Sequence, residues 1–326
     1  DLPALAHQYL GNTITTEGGE RFQRLAAEVG YSGSDMAAFA GEYLNVFTTG
    51  FHYAFAVAIA AMLISLLIYM ANRNRFPDPA NKHTAAAGGA IMEEMDIKEV
   101  KQRLYALFAV FAVVIFFWFS FHQNGLTLTY FAKDYTDLSQ IKLNLGFATL
   151  QGAEIFQSIN PFFVVFLTPV IVGLFGWLRA KGKEPSTPRK IAIGMGIAAL
   201  AYAVMALGSM GLPYKGEVDA MGGLPDAARV TPWLLIGTYF ILTVAELFIS
   251  PLGISFVSKV APPKYQGIMQ GAWLGATAVG NSLLFIGAIF YTSISMTATW
   301  MVFVAACLIS MFTMLGMIKW LEKIAK

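Results

Sequence analysis

The chain has 326 residues, of which 56% are hydrophobic, 14% aromatic and only 13% charged, and its mean hydropathy is +0.59. Soluble chains carry about a quarter charged residues, so this composition excludes one or two water-soluble globules and points to a bilayer. The formal net charge is +2, with Lys and Arg dispersed, which excludes a basic face for nucleic acid; the single cysteine, Cys307, permits no internal disulfide.

Residues 1–50 form a polar opening in which Asp1, Glu17, Glu20, Glu28, Asp35 and Glu42 outweigh Arg21 and Arg24. The sequence starts without Met or an apolar leader, and the expectation is a fragment in which earlier spans preceded this segment. A helix needs about 20 mostly apolar residues to cross the hydrocarbon core. Seven stretches qualify: 51–72, 104–132, 153–178, 191–212, 232–258, 265–291 and 294–320. Barrel strands alternate apolar and polar residues over about ten positions, whereas residues 104–121 are apolar almost throughout, with Ser120 as the interruption. The fold class predicted is therefore all-α integral membrane. Residues 73–103, with Pro77, Pro79 and the small run 85–90, read as a linker whose charged end, 92–103, suits a short surface helix. Residues 104–326 then form one six-helix unit.

Lys and Arg gather on the cytoplasmic side of a membrane protein. The segments 73–103, 179–190, 259–264 and 319–326 hold 6, 5, 2 and 3 of them, whereas 1–50, 133–152, 213–231 and 292–293 hold 2, 2, 2 and 0. This asymmetry predicts a multi-pass protein of the plasma membrane, in lipid contact along its spans. Its carboxyl end is cytoplasmic and residues 1–50 are extracytoplasmic. Phe51, Tyr53, Tyr105, Trp177, Trp233, Trp300 and Trp320 lie near span ends, where aromatic rings favour the membrane interface.

Polar groups within spans are costly and mark sites. Glu246 is the formal charge set deepest in a predicted span, and a charge there costs roughly 2.5–3.5 kcal/mol on insertion scales. It either lines a cavity or, protonated, bonds a neighbouring helix as structural glue. Tyr239, Thr243, Glu246, Ser250 and Gly253 are spaced by four, three, four and three, so they share one helix face, and Pro251 makes that helix bendable. Gln270, Trp273, Thr277 and Asn281 repeat the pattern in the next span, where Gly271, Gly275 and Gly280 suit close packing equally well. Glu154, Gln157, Ser158 and Pro161 share a face beside Asn160, and with Pro169 they predict a bent helix. His122, Gln123, Asn124 and Gly125 interrupt the 104–132 run; His122 there either titrates or donates one hydrogen bond.

Read together, these clusters resemble the proton-dependent oligopeptide transporter family, a branch of the major facilitator superfamily. Phe117, Trp118, Phe121 and Gln123 match an FWxxFEQ-like string in which His122 replaces the Glu. Phe156, Gln157, Ser158, Asn160 and Pro161 match FQSxNP. Glu246, Leu247, Ser250, Pro251 and Gly253 match ELxxSPxG, followed by a K-x-A-P turn at Lys259, Ala261 and Pro262. Gly267, Met269, Gly271 and Trp273 match a GxMxGxW-like string, and Gly50, His52, Tyr53 and Phe55 look like the start of the family's sixth helix. Glu20, Arg21 and Phe22 spell part of a first-helix motif, but in a segment too polar to span, and are read as coincidence.

The resemblance covers about residues 50–326 and implies a major-facilitator-type helix bundle. Residues 51–72 would be the last helix of the amino-terminal bundle, and 104–326 the carboxyl-terminal bundle, whose partner is the missing amino-terminal one. It implies a secondary active transporter of di- and tripeptides working by alternating access, with protons as coupling ion and no other cofactor. It further implies that Glu246 binds the peptide's positive amino terminus, with Asn160 beside it, Trp273 as a pocket wall, and Ser250 and Gln157 in the same substrate site. Glu246 and His122 become the candidates for proton coupling, although a charged His122 would repel rather than attract a cationic partner. A different small solute, such as a modified peptide or an amino-acid-like compound, fits the same groups. A membrane-embedded enzyme fits less well, because His7, His52, His83 and His122 are scattered with no metal-ligand spacing.

Overall fold

A computed structural model describes residues 2–75, 95–144 and 149–324. The chain divides into two units, residues 1–93 and 94–326, with the boundary between them outside the described residues. Among the described residues, seven helical segments are long and apolar enough to cross a membrane.

In the first unit, α1 (Leu2–Leu10), α2 (Thr16–Glu28) and α3 (Met36–Asn72) are helical. This revises the reading of 1–50 as a loop, and α3 begins at Met36 rather than 51. The cause is local: the Asp35 carboxylate accepts the backbone N–H groups of Ala37 and Ala38 at 3.1 and 3.0 Å, capping the helix. Phe39, Tyr43, Phe47 and Phe51 then stack at i,i+4 spacing, with ring centroids 4.9–6.2 Å apart. Thr15 caps α2 by accepting from Gly18 N–H at 3.1 Å. Leu2, Ala6, Phe22, Ala26, Phe39 and Ala40 form a small core, with Phe22 of the ERF string inside it. At 37 residues, α3 is about 55 Å long and outreaches a hydrocarbon core of about 30 Å.

The second unit contains α4 (Ile97–Phe121), α5 (Thr127–Tyr135), α6 (Ile155–Ala180), α7 (Thr187–Gly208), α8 (Lys215–Ala220), α9 (Pro232–Leu247), α10 (Ser250–Val260), α11 (Gln266–Ser282), α12 (Leu284–Ser293) and α13 (Met296–Ile324). Residues 97–103, expected as part of a separate surface helix, are the first turns of α4, carrying a Glu99–Arg103 pair at 2.8 Å. The remainder of that expected helix, and most of the linker, lie outside the described residues. One short antiparallel ladder departs from the all-α expectation: β1 (Lys142–Asn144) pairs with β2 (Thr149–Gln151), Leu143 opposite Leu150.

Three of the six spans are broken. A 3-10 turn at His122–Gly125 separates α4 from α5, residues 248–249 separate α9 from α10, and Leu283 separates α11 from α12. The first and third breaks meet: the Gln123 side-chain N–H donates to Leu284 C=O at 3.3 Å, and the Thr127 hydroxyl donates to the Gln123 side-chain oxygen at 2.5 Å. Gly287 leaves room for that amide, where any Cβ would collide. Pro161 and Pro169, expected to bend their helix, lie inside α6, which runs uninterrupted through both.

α7 is the central helix, packed against α13 and α9, while α11 packs on α4 and α6 on α9. Gly280 permits the α11–α4 approach, since a Cβ there would come within 2.8 Å of Trp118 Cβ and 2.9 Å of Ile115 C=O. Gly271 and Gly275 face open space and take no part in it. The core is aromatic: Tyr202, Trp300 and Phe303 interlock, and the Tyr202 hydroxyl donates to Ser120 C=O. Trp300 is therefore no interfacial anchor. It is fully buried, and its indole N–H donates to Ser209 Oγ at 3.0 Å. The other six rings of that set are exposed.

Polar contacts sort the span ends. At one end Gly182, at φ +65°, turns the chain from α6 toward α7, and Glu184 binds Arg179 at 2.7 Å and Lys190 at 2.5 Å. At that end too, Glu322 of α13 meets Arg189 at 2.8 Å and accepts from Ser186 Oγ at 2.6 Å. At the other end Asp134 accepts the Tyr291 hydroxyl at 2.8 Å and pairs with Lys215 at 3.3 Å.

Candidate functional site

Glu246 occupies the last turn of α9, where the helix stops at Leu247 and resumes at Ser250 with Pro251 in its first turn. A helix end at this depth frees backbone carbonyls, and Ile249 N–H takes that of Glu246 at 2.9 Å. The side chain is half-buried. Asn160, from α6, donates one amide N–H to Glu246 Oε2 at 3.1 Å and one to Thr243 Oγ1 at 3.0 Å. The Thr243 hydroxyl, in turn, donates to Tyr239 C=O at 2.7 Å. Thus the predicted face of α9 and the FQSxNP segment of α6 meet, although 86 residues separate Asn160 from Glu246 in sequence.

Gln157, one turn before Asn160, turns its amide elsewhere. It donates to Gly125 C=O at 3.4 Å and to Thr129 Oγ1 at 3.2 Å, so it braces the break between α4 and α5. Tyr239 braces the same break from α9, its hydroxyl donating to Asn124 C=O at 2.6 Å. His122 lies in that break, stacked on Trp118 with ring centroids 4.9 Å apart, and its buried Nδ1 has no hydrogen-bond partner among the described residues.

Trp273 is 2% exposed. It lies edge-on to Phe111 at 6.1 Å and its indole covers Gly253, where a Cβ would run into the ring. Ser250 opens α10 and is half-buried. Among the described residues, the hydrogen-bonded group contains Glu246, Asn160, Thr243 and Tyr239; Ser250, Trp273 and His122 stand outside it. In the second polar stripe Gln270 reaches Ser258 Oγ at 3.0 Å and Asn281 is exposed, so that stripe does not converge on Glu246. Thr129, which accepts from Gln157 and donates to Asn124 C=O at the α4–α5 break, is the residue that the sequence reading passed over. Its position one turn past the His122–Gly125 interruption was the available signal.

Chemically, this arrangement is an acid with one N–H donor among the described residues, at the broken end of its helix. It leaves carboxylate lone pairs for a cationic guest. Interrupted helices around an intramembrane charge are a feature of secondary transporters.

Sequence and structure comparisons agree with that class and narrow it. The family model PTR2, described as the POT family, matches residues 80–301; the chain belongs to the POT family. The peptide transporter YePEPT of Yersinia enterocolitica is 33% identical over 181 residues, 56% of this chain and 32% of that protein. Dipeptide and tripeptide permease B of Xenorhabdus bovienii is 25% identical over 273 residues, 72% of this chain and 53% of its own. A crystal structure of a peptide transporter POT in complex with sulfate superposes with a TM-score of 0.61 at 21% identity, over 93% of this chain and 72% of that one. A POT family transporter in complex with 5-aminolevulinic acid gives 0.55 at 23% identity, over 85% and 55%. These structures share the fold. The chain spans about a third to a half of the two curated relatives' length.

Proposed function

We propose that the whole protein is a proton-coupled transporter of di- and tripeptides in a bacterial inner membrane, cycling by alternating access, and that Glu246 receives the peptide's ammonium group. The observation that carries this reading is the Glu246–Asn160–Thr243 group at the broken end of α9. A bare carboxylate in low dielectric is costly, and an ammonium arriving from water gains several kcal/mol of attraction at an effective dielectric of about 20. Asn160 holds one carboxylate oxygen in place, so the guest meets an oriented acid. The names of two relatives, a peptide transporter at 33% identity and a dipeptide and tripeptide permease B at 25%, support the substrate class.

Trp273, Ser250 and Gln157 belong to the walls of the same site, and an amino-terminal helix bundle supplies the opposite wall and the cationic partner for the peptide carboxylate. Protons are the coupling ion, with Glu246 and His122 the groups that carry them, and no further cofactor takes part. The Lys- and Arg-rich ends face the cytoplasm and residues 1–50 the outside. Transport, rather than catalysis, is the activity, in keeping with the transporters this chain is similar to.

The test is uptake of dialanine into liposomes under an inward proton gradient by the whole protein, wild type against Glu246→Gln. Gradient-driven uptake that the substitution abolishes supports the proposal. Equal uptake by both would reduce Glu246 to helix-to-helix glue, and no uptake by folded wild type would end the peptide reading.

A further inference from the structure

The break between α4 and α5 and the acid at the end of α9 are gripped by the same two helices. When a helix breaks, its carbonyls lose their intrahelical donors and need others in a dry setting. The carbonyl of Asn124 is taken by the Tyr239 hydroxyl of α9 at 2.6 Å, and that of Gly125 by Gln157 of α6 at 3.4 Å. Further along each helix lies the site: Asn160 is three residues past Gln157, and Thr243 and Glu246 are four and seven past Tyr239. The two rows are closed across by the Asn160 bonds to Thr243 and Glu246 at 3.0 and 3.1 Å. Tyr239 itself is 1% exposed and stacks on Phe156 with centroids 6.4 Å apart, so it is fixed in place and closed to a substrate.

We propose that Tyr239 is a positioning residue that ties the broken helix carrying His122 to the α9 face ending in Glu246, so that a change at Glu246 is passed to the α4–α5 break. The proposal rests, for its transport consequence, on the peptide reading given above. The phenol touches no substrate; it holds the break. Filling the site draws on Glu246 and Asn160, and the movement of either helix reaches the break through one hydroxyl and one amide. Without the phenol the Asn124 carbonyl keeps, among the described residues, a long Thr129 bond at 3.4 Å, while Gln157 still holds Gly125 C=O and Gln123 still reaches Leu284 C=O.

Tyr239→Phe tests this, because it keeps the ring and the stack and removes only the O–H. In dialanine counterflow by the whole protein, KM stays within about twofold while the maximal rate falls about threefold or more, the scale of one interhelical hydrogen bond. In this counterflow, which needs no proton gradient, Glu246→Gln by contrast raises KM. A second measurement needs no transport: site-resolved carbethoxylation of His122 by diethylpyrocarbonate rises about threefold in Tyr239→Phe, as a loosened break opens more often. An unchanged His122 rate, or a Tyr239→Phe variant that shifts KM as Glu246→Gln does, would overturn the proposal. Wild type that exchanges no dialanine would defeat the peptide reading instead, and the His122 rate would still decide the tether.

Discussion

Thr243 shows how much a short side chain contributes at the residue scale. Its hydroxyl satisfies its own helix by donating to Tyr239 C=O and orients Asn160 by accepting from it. Thr243→Val keeps the shape and removes both bonds. We expect a loss of about 0.6 to 1.7 kcal/mol in folding stability and a higher KM for peptide, read by thermal unfolding in detergent and by uptake. An unchanged KM would detach Thr243 from the site. Gly253 is set by a different constraint, since the Trp273 indole occupies the space of its missing Cβ. Gly253→Ala must displace the ring at a cost of about 1 to 3 kcal/mol, with uptake reduced; wild-type uptake would show that the ring's position is immaterial. Glu246 and Asn160 were legible in the sequence because an intramembrane charge and the motif around Asn160 stand out. Their proximity came from the family resemblance alone, because nothing in spacing says which helices adjoin. Trp300 misled for a related reason: hydropathy locates a ring near a span end without saying which way it faces.

At the scale of elements, the polar interruptions mattered more than the prolines. His122–Gly125 breaks its span and Pro251 opens a new helix, yet α6 passes through Pro161 and Pro169 intact. A proline removes one donor and crowds one carbonyl, which a helix in a bundle can accommodate. At the His-Gln-Asn-Gly run the freed carbonyls of Asn124 and Gly125 find donors on neighbouring helices, Tyr239 and Gln157, so the break is held from outside. The α6–α7 turn makes a separate prediction. Arg179 first, and Lys190 beside it, hold the Glu184 carboxyl down at about 2. Because its folded value lies below the ordinary carboxylate range, the stabilisation is fully present above about pH 4.5 and is lost as the pH falls toward 2. Glu184→Gln should unfold at a lower temperature than wild type at pH 7, and the gap should narrow steadily below pH 4.5. A gap independent of pH would show that the charge contributes nothing.

For the whole molecule, the seven spans and their approximate places followed from apolar run length, since the bilayer sets that length. The helical cluster formed by α1, α2 and the start of α3 did not, because Gly41, Glu42 and Asn45 depress hydropathy there, while the Asp35 cap starts α3 despite the weak helix propensity of Gly and Asn. The charge asymmetry makes a claim about sidedness that labelling can check. Cys307 is buried; in a Cys307→Ser background, Lys183→Cys should react with an impermeant maleimide only from the cytoplasm and Asp226→Cys only from outside. The reverse pattern would invert the topology.

The claim on which the rest depends is that a positive amino terminus docks at Glu246. It is tested most directly by competition: proton-driven uptake of labelled dialanine by the whole wild-type protein, challenged with unlabelled dialanine or with N-acetyl-dialanine, which keeps the carboxylate and lacks the charge. Dialanine is expected to compete and the acetylated compound to leave uptake unchanged. Equal competition by both would contradict docking at Glu246.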